Sequence, residues 1–126
     1  MRVIDSSAWI EWILDSPTGR QLSDQIPAPG DSIVPTIVQL ELSKWLLREQ
    51  DEDALNNFIA YTMLCKIVPL DTAIARRAAE ICMQHKLATA DAIIYATALQ
   101  HDADVLTCDA HFKGLENVIL LPKAAD

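Results

Sequence analysis

The chain contains little of what crosslinks, targets or anchors many small proteins. Its 126 residues include three cysteines and no C-x-x-C pair, which argues against a zinc ribbon or a disulfide framework. No uncharged stretch exceeds 12 residues, whereas a membrane-spanning helix needs about 20. Charges at Arg2 and Asp5 interrupt the N-terminus, so we expect no secretory signal. We therefore predict a cytoplasmic protein with reduced thiols and no membrane association.

Positive charge is also scarce. Ten Lys and Arg residues face 18 Asp and Glu residues, which gives a net charge of −8 and an isoelectric point near 4.7. This balance excludes the usual basic surface that binds nucleic acid, but it leaves open a nucleic acid held through bound metal ions. The hydrophobic content of 51% excludes global disorder, and the length predicts one domain spanning residues 1–126.

Short apolar segments alternate with helical segments along the whole chain. Helix starts are predicted near Ser6, Pro17, Thr36, Asp71 and Thr89, with another helix beginning within residues 51–53. This alternation predicts an α/β sandwich with a mostly parallel sheet, whose ligand crevice lies beyond the carboxyl ends of the strands. The predicted strands are Val3–Ile4, Ser32–Val34, Ile67–Leu70, Val105–Thr107 and Val118–Leu121.

Two acidic residues occur where such a crevice is expected. Asp5 directly follows the first predicted strand and Asp109 comes just after the fourth, and each taken alone also fits an ordinary cap or turn. Asp91 lies in the first turn of the predicted helix 89–101, where it could simply complement the helix dipole. That helix is nearly apolar on every side, however, and a buried charge needs a partner, a cation or a functional site.

A fourth acid, Glu41, lies on the predicted helix 36–50. Lys44 and Arg48 follow at helical spacing, so an ordinary surface ion pair is one interpretation. The four acids together favour a site, because carboxylates without a matching His or Cys pattern suit Mg²⁺ or Mn²⁺. One or two such ions can activate water and clamp a phosphodiester.

Hydroxyl side chains stand beside two of these acids. Ser6 and Thr107 could orient the flanking carboxylates by hydrogen bonds, although capping or strand-end bonding is the ordinary alternative for each. The three tryptophans are expected in the core or at an interface. The histidines are expected to be surface or structural residues: His85, His101 and His111.

The local context of the four acids resembles the PIN-domain family, in particular its VapC-type toxin ribonucleases. The similarity extends over essentially the whole chain, and the acids occur in the family's order. The matching segments are Val3–Glu11, Leu40–Leu42, Thr89–Ala98 and Leu106–Phe112. One departure is Cys108, which stands where such proteins often have Arg or another polar residue.

This resemblance implies a PIN-like α/β/α sandwich and cleavage of RNA that depends on Mg²⁺ or Mn²⁺. It also implies a cognate antitoxin protein and a homodimer. Carried over to this sequence, the metal ligands and catalytic residues are Asp5, Glu41, Asp91 and Asp109, with Ser6 and Thr107 supporting them.

Other α/β proteins of this size fit less well. A receiver-like phosphoacceptor domain needs an adjacent acidic pair after the first strand, but Ser6 follows Asp5. A haloacid-dehalogenase-type phosphatase needs a second Asp two residues on, where Ser7 stands, and no phosphate-binding G-x-x-x-x-G-K-[ST] loop occurs. A catalytically silent PIN-like scaffold that acts by binding protein or RNA stays open as the alternative.

Overall fold

A five-stranded parallel sheet forms the centre of the molecule. The computed structural model describes residues 1–123, and within them the strand order is β3-β2-β1-β4-β5 with every neighbouring pair parallel. The predicted mostly parallel sheet is therefore confirmed. The strands are β1 (Arg2–Ile4), β2 (Ser32–Pro35), β3 (Lys66–Val68), β4 (Asp104–Thr107) and β5 (Val118–Leu120).

Helices connect consecutive strands up to β4 and flank the sheet, as the α/β/α prediction requires. Parallel strands need such crossovers because the chain must return to the same end of the sheet before each new strand. The helices are α1 (Ser6–Ile13), α2 (Pro17–Leu22), α3 (Thr36–Glu49), α4 (Glu52–Thr62), α5 (Thr72–His85) and α6 (Thr89–Gln100). No helix within residues 1–123 has the length and apolar character to span a bilayer.

Element ends differ from the sequence prediction by one to four residues. The second helix was expected to continue to about Ile26, but α2 ends at Leu22 and a short 3₁₀ turn follows. The third strand was expected to reach Leu70, but β3 ends at Val68, and Asp71 then caps α5 by accepting a hydrogen bond from the Ile74 amide at 2.9 Å. Apolar residues beside a strand or helix are buried in the same core, so hydropathy alone does not mark where an element ends.

The strand order creates a reversal between β1 and β4. From β1 the chain adds β2 and β3 on one side, then returns to add β4 and β5 on the other. Arg2 lies opposite Asp104 across this junction, and their side chains form an ion pair at 2.8 Å that holds the register. Because crossover connections diverge at such a reversal, they leave a crevice beyond the carboxyl ends of the two strands.

The sixth helix is the most deeply enclosed helix of the molecule. All seven residues from Ala92 to Ala98 are buried, so α6 lies within the core instead of covering it. Its N-terminal turn, which carries Asp91, is partly exposed. Burial of the rest of the helix therefore fixes the position of this acid relative to the sheet.

Candidate active site

Four acidic side chains from four separate elements meet beyond the carboxyl ends of β1 and β4. Asp5 follows β1, Asp109 comes two residues after β4, Glu41 lies on α3, and Asp91 lies in the first turn of α6. The charges of Asp5, Asp109 and Glu41 all contribute to raising the pKa of Asp91, after burial. The four carboxylates therefore share one electrostatic environment.

Asp5 is the most buried acid of the cluster, with 3% of its surface exposed. Its Oδ2 atom accepts hydrogen bonds from the hydroxyls of Ser7 and Thr107, both at 2.7 Å. Burial raises the pKa of Asp5, and these two hydrogen bonds oppose the rise. Asp5 occupies the N-cap position of α1, but its side chain makes no capping hydrogen bond there, so capping does not account for this carboxylate.

The two hydroxyls are themselves held by the chain that follows β4. The amide of Cys108 donates to Ser7 Oγ at 3.0 Å, and the amide of Asp109 donates to Thr107 Oγ1 at 2.9 Å. Each hydroxyl thus accepts a backbone N–H and donates its own hydrogen to Asp5. This arrangement fixes the Asp5 carboxylate from both sides of the β1–β4 junction.

Glu41 is half-buried and accepts a hydrogen bond from Ser6 Oγ at 2.8 Å. Burial raises its pKa; the Ser6 hydrogen bond lowers it, and the charge of Asp5 adds to the rise. No ion pair joins Glu41 to Lys44 or Arg48 in the part of the chain described by the structure. The charge of Lys44 does lower the pKa of Glu41, but it acts without the direct ion pair that was the alternative interpretation.

Asp91 is partly buried and lies among the charges of the other acids. Burial, followed by repulsion from Asp5 and Asp109, raises its pKa to about 6. Its position in the first turn of α6 favours a negative charge through the helix dipole, and the nearby His111 opposes the rise. Because the raised pKa reflects a charge held among like charges, a cation bound there would relieve the repulsion.

Asp109 combines the capping role with membership of the cluster. Its Oδ1 accepts a hydrogen bond from the His111 amide at 2.9 Å and thereby caps a 3₁₀ turn at Ala110–Phe112. The same oxygen lies 3.0 Å from His111 Nδ1, and Asp91 Oδ2 lies 3.8 Å from that nitrogen. Asp91, Asp109 and His111 each present a ligand atom within 4.8 Å of the other two.

Sequence reasoning missed two residues of this region. Ser7 was not assigned to the predicted site, yet it contacts Asp5 and the amide of Cys108. His111 was expected to be a surface or structural residue; its side chain is 77% exposed, but it stands beside two of the acids. The position of His111 two residues after Asp109, within one turn, was the available signal.

The thiol beside the site is not a nucleophile. Cys108 is buried, and burial raises its pKa to about 11, with smaller contributions from the charges of Glu11 and Asp5. Since the thiolate is the reactive form, Cys108 has a structural role in this fold.

The donor atoms fit a hard divalent cation. Oxygen ligands from several carboxylates are what Mg²⁺ and Mn²⁺ take in proteins, and four converging acids resist full ionisation unless a cation compensates them. At Asp91, whose pKa is raised to about 6 by burial and by the neighbouring charges, a bound cation would offset this cost.

The fold and the site together define a class of protein: a parallel α/β/α sandwich that holds four carboxylates at a strand-order reversal. The chain belongs to the PIN domain family, whose model matches residues 2–117. This confirms the family inferred from the four acidic motifs.

Solved structures agree with this assignment at the level of the fold. A toxin–antitoxin complex from Klebsiella pneumoniae has a TM-score of 0.85 at 19% identity, covering 98% of this chain and 100% of that one. VapC20 of Mycobacterium tuberculosis, described as a sarcin–ricin-loop-cleaving toxin, has a TM-score of 0.77 at 17% identity, covering 97% and 100%. FitAcB from Neisseria gonorrhoeae has a TM-score of 0.68 at 24% identity, covering 88% and 89%. No curated protein sequence matches the chain significantly.

Proposed function

We propose that this protein is a divalent-metal-dependent endoribonuclease and the toxin of a toxin–antitoxin pair. The observation that carries the proposal is the convergence of Asp5, Glu41, Asp91 and Asp109 at one edge of the sheet, where burial and the neighbouring charges raise the pKa of Asp91 to about 6. Membership of the PIN family and the fold shared with toxins of such pairs support it. RNA is the proposed substrate because one of these relatives is described as cleaving the sarcin–ricin loop.

The four acids would hold Mg²⁺ or Mn²⁺ as ligands. When bound, such an ion supplies a Lewis acid for a phosphodiester and lowers the pKa of a water. Asp5 would serve as the fixed ligand, because Ser7 and Thr107 orient its carboxylate. The ion also explains how a chain of net charge −8 can bind a polyanion, since it presents positive charge to the phosphate.

The cleavage test uses purified, antitoxin-free protein and a panel of cellular RNAs, with Mg²⁺, Mn²⁺ or EDTA. We expect cleavage with either ion and none in EDTA. Undiminished cleavage in EDTA would contradict the metal requirement. No cleavage of any RNA by protein that binds the ion would instead favour a catalytically silent scaffold.

The antitoxin would have an apolar segment and a basic one. An apolar groove of about 290 Å³ lies between α1, α3 and α4, and its aromatic walls are Trp9, Trp12, Phe58 and Tyr61. A basic side chain of the partner would reach the four acids, and Arg suits them because its planar fork pairs bidentately with carboxylates. Such a partner blocks the site by neutralising the charges that the metal needs.

Growth assays test this partner. Expression of the protein alone should arrest growth, and co-expression of the small neighbouring gene should restore it. The variant Trp12→Ala, altered at the partly exposed edge of the groove, should resist this rescue while remaining toxic. Harmlessness of the folded parent at normal levels would contradict the toxin assignment.

We also infer a homodimer formed through α5. Met83 is 84% exposed beside the apolar surface between α5 and α6, to which Cys82 and Leu70 contribute. Arg76 and Glu80 form no ion pair within the described residues. Two antiparallel copies of α5 would place each Arg76 against the other copy's Glu80. Light scattering should give a dimer for the parent and a monomer for Met83→Glu; a monomeric parent would contradict the inference.

A further inference from the structure

The imidazole of His111 lies at the open side of the acid cluster. Its Nδ1 atom is 3.0 Å from Asp109 Oδ1 and 3.8 Å from Asp91 Oδ2. The ring is positioned by its backbone, because the His111 amide donates to Asp109 Oδ1 at 2.9 Å within the 3₁₀ turn. The imidazole is therefore placed by the same residue that belongs to the proposed metal site.

The three side chains present their donor atoms close together. Asp91, Asp109 and His111 each offer one ligand atom within 4.8 Å of the other two. Two donors of one ion lie no farther apart than twice a metal–ligand bond of about 2.1 Å, and the separations of 3.0 and 3.8 Å from His111 Nδ1 are within that limit. One divalent cation could therefore be held by all three side chains.

We propose that His111 is a nitrogen ligand of the divalent ion and that it shifts the site's preference from Mg²⁺ toward Mn²⁺. This inference rests on the proposed metal site and extends it by one residue. Mg²⁺ prefers an all-oxygen shell, whereas imidazole is a common ligand of transition-metal ions and is accepted by Mn²⁺. A site with Asp91, Asp109 and His111 therefore discriminates between two ions that a purely carboxylate site treats similarly.

Ligation also sets the state of the ring. An imidazole nitrogen that coordinates a metal carries no proton, so the ring proton would stay on Nε2 and the 3.0 Å charge contact of Nδ1 with Asp109 would be lost. Asp109 Oδ1 and His111 Nδ1 would then both contact the cation. The ring is 77% exposed, so it can make this exchange without disturbing the core.

The test measures binding of Mn²⁺ and Mg²⁺ to the whole protein by calorimetry. We expect His111→Ala to weaken Mn²⁺ binding at least about tenfold, as loss of a metal-site residue does, and to change Mg²⁺ binding by much less. Pulsed electron paramagnetic resonance of bound Mn²⁺ should show a ¹⁴N coupling in the parent that His111→Ala lacks. The matched control, His101→Gln at the far end of α6, should keep both.

Three outcomes would overturn the inference. His111 is not a ligand if the parent and His111→Ala bind Mn²⁺ with equal affinity. The same holds if the ¹⁴N coupling persists in the variant. Tighter Mn²⁺ binding by the variant would mean that the ring competes with the ion for Asp91 and Asp109. If Asp91→Asn abolishes binding in each case, the carboxylate site stands and only the role of His111 fails. A parent that binds neither ion contradicts the metal site itself.

Discussion

The acid cluster has two halves, represented by Asp5 and Asp91, and their carboxylates are held in different ways. Asp5 is 3% exposed and receives hydrogen bonds from two hydroxyls at 2.7 Å. The side chain of Asp91 is 17% exposed, and within residues 1–123 its one ion-pair partner is His111 at 3.8 Å, with no hydrogen bond to its carboxylate. The Asp5 carboxylate is therefore fixed by neutral hydroxyl donors. The Asp91 carboxylate has no such donors and only the exposed His111 to offset its charge.

This difference indicates how the fold tolerates four close carboxylates. Hydrogen bonds to a buried charge offset part of its desolvation, so Asp5 can be placed deep at the β1–β4 junction. Asp91 has no such donors, so the effects of its burial and of the neighbouring acids appear in a pKa raised to about 6. Asp5 would then position a cation, and the ionised form of Asp91 would be stabilised by binding it.

The largest expected effect comes from removing the negative charge of Asp91. Asp91→Asn should lower RNA cleavage by more than about 100-fold, because Asp91 would be a direct ligand of the proposed ion and losing such a ligand costs more than losing an indirect one. Asp102→Asn is the matched control, an exposed Asp at the end of the same helix whose φ of 50° suits Asn. Full cleavage by a folded Asp91→Asn would contradict the site, and circular dichroism checks its fold.

The next effect tests the fixed half. Thr107→Val keeps the shape of the side chain but removes a hydroxyl that donates to Asp5 and accepts from the Asp109 amide. We expect metal affinity and cleavage to fall about 10- to 100-fold, as for other groups that orient metal ligands. Thr107→Ser should retain most of both. If Thr107→Val binds metal like the parent, orientation of Asp5 does not limit the site.

Much of this comparison could be predicted from sequence, since three of the four acids follow strands or open a helix of strong apolar character. Period and turn chemistry are local signals, and they placed Asp5 and Asp109 at the same edge of the sheet and Asp91 in the first turn of a buried helix. They also predicted that Ser6 and Thr107 orient the carboxylates that flank them. Those pairings are wrong.

The hydroxyls form hydrogen bonds with acids on other elements of the fold. Ser6 follows Asp5 in sequence but donates to Glu41, and Thr107 precedes Asp109 by two residues but donates to Asp5. Such contacts depend on the parallel β1–β4 register, and on the distance from α1 to α3, which no local pattern specifies. His111 was missed for a related reason, because its neighbour Asp91 belongs to a different element.

A stability measurement without metal sharpens the contrast further. The folded pKa of Asp91, about 6, lies above its ordinary value of 3.8, so the native state binds more protons than the unfolded state between these values. Stability should therefore fall as pH rises through this window. Because the side chain is partly exposed, we expect a loss of roughly 1 kcal/mol, less than the full shift implies.

The comparison of parent and Asp91→Asn in EDTA isolates this contribution. The variant should be more stable than the parent by roughly 1 kcal/mol at pH 7, and the difference should vanish near pH 4. Urea unfolding at several pH values and constant ionic strength gives the difference directly. Added Mn²⁺ should then stabilise the parent much more than the variant. A difference independent of pH would mean that the Asp91 charge is not repelled in the folded state.

The smallest expected effect concerns Glu41, which is intermediate between the two halves because it has one hydroxyl donor. Ser6→Ala removes the hydrogen bond to Glu41 Oε1 but leaves both the charge and the helix that positions it. We expect cleavage to fall only about two- to fivefold, the equivalent of a hydrogen bond worth about 0.5–1 kcal/mol. Ser6 acts through Glu41 in this scheme, so Ser6→Ala should have no further effect in a Glu41→Gln background. Independent, additive losses would place Ser6 in contact with the substrate or the ion instead, and a loss as large as that of Thr107→Val would erase the distinction between the two halves of the site.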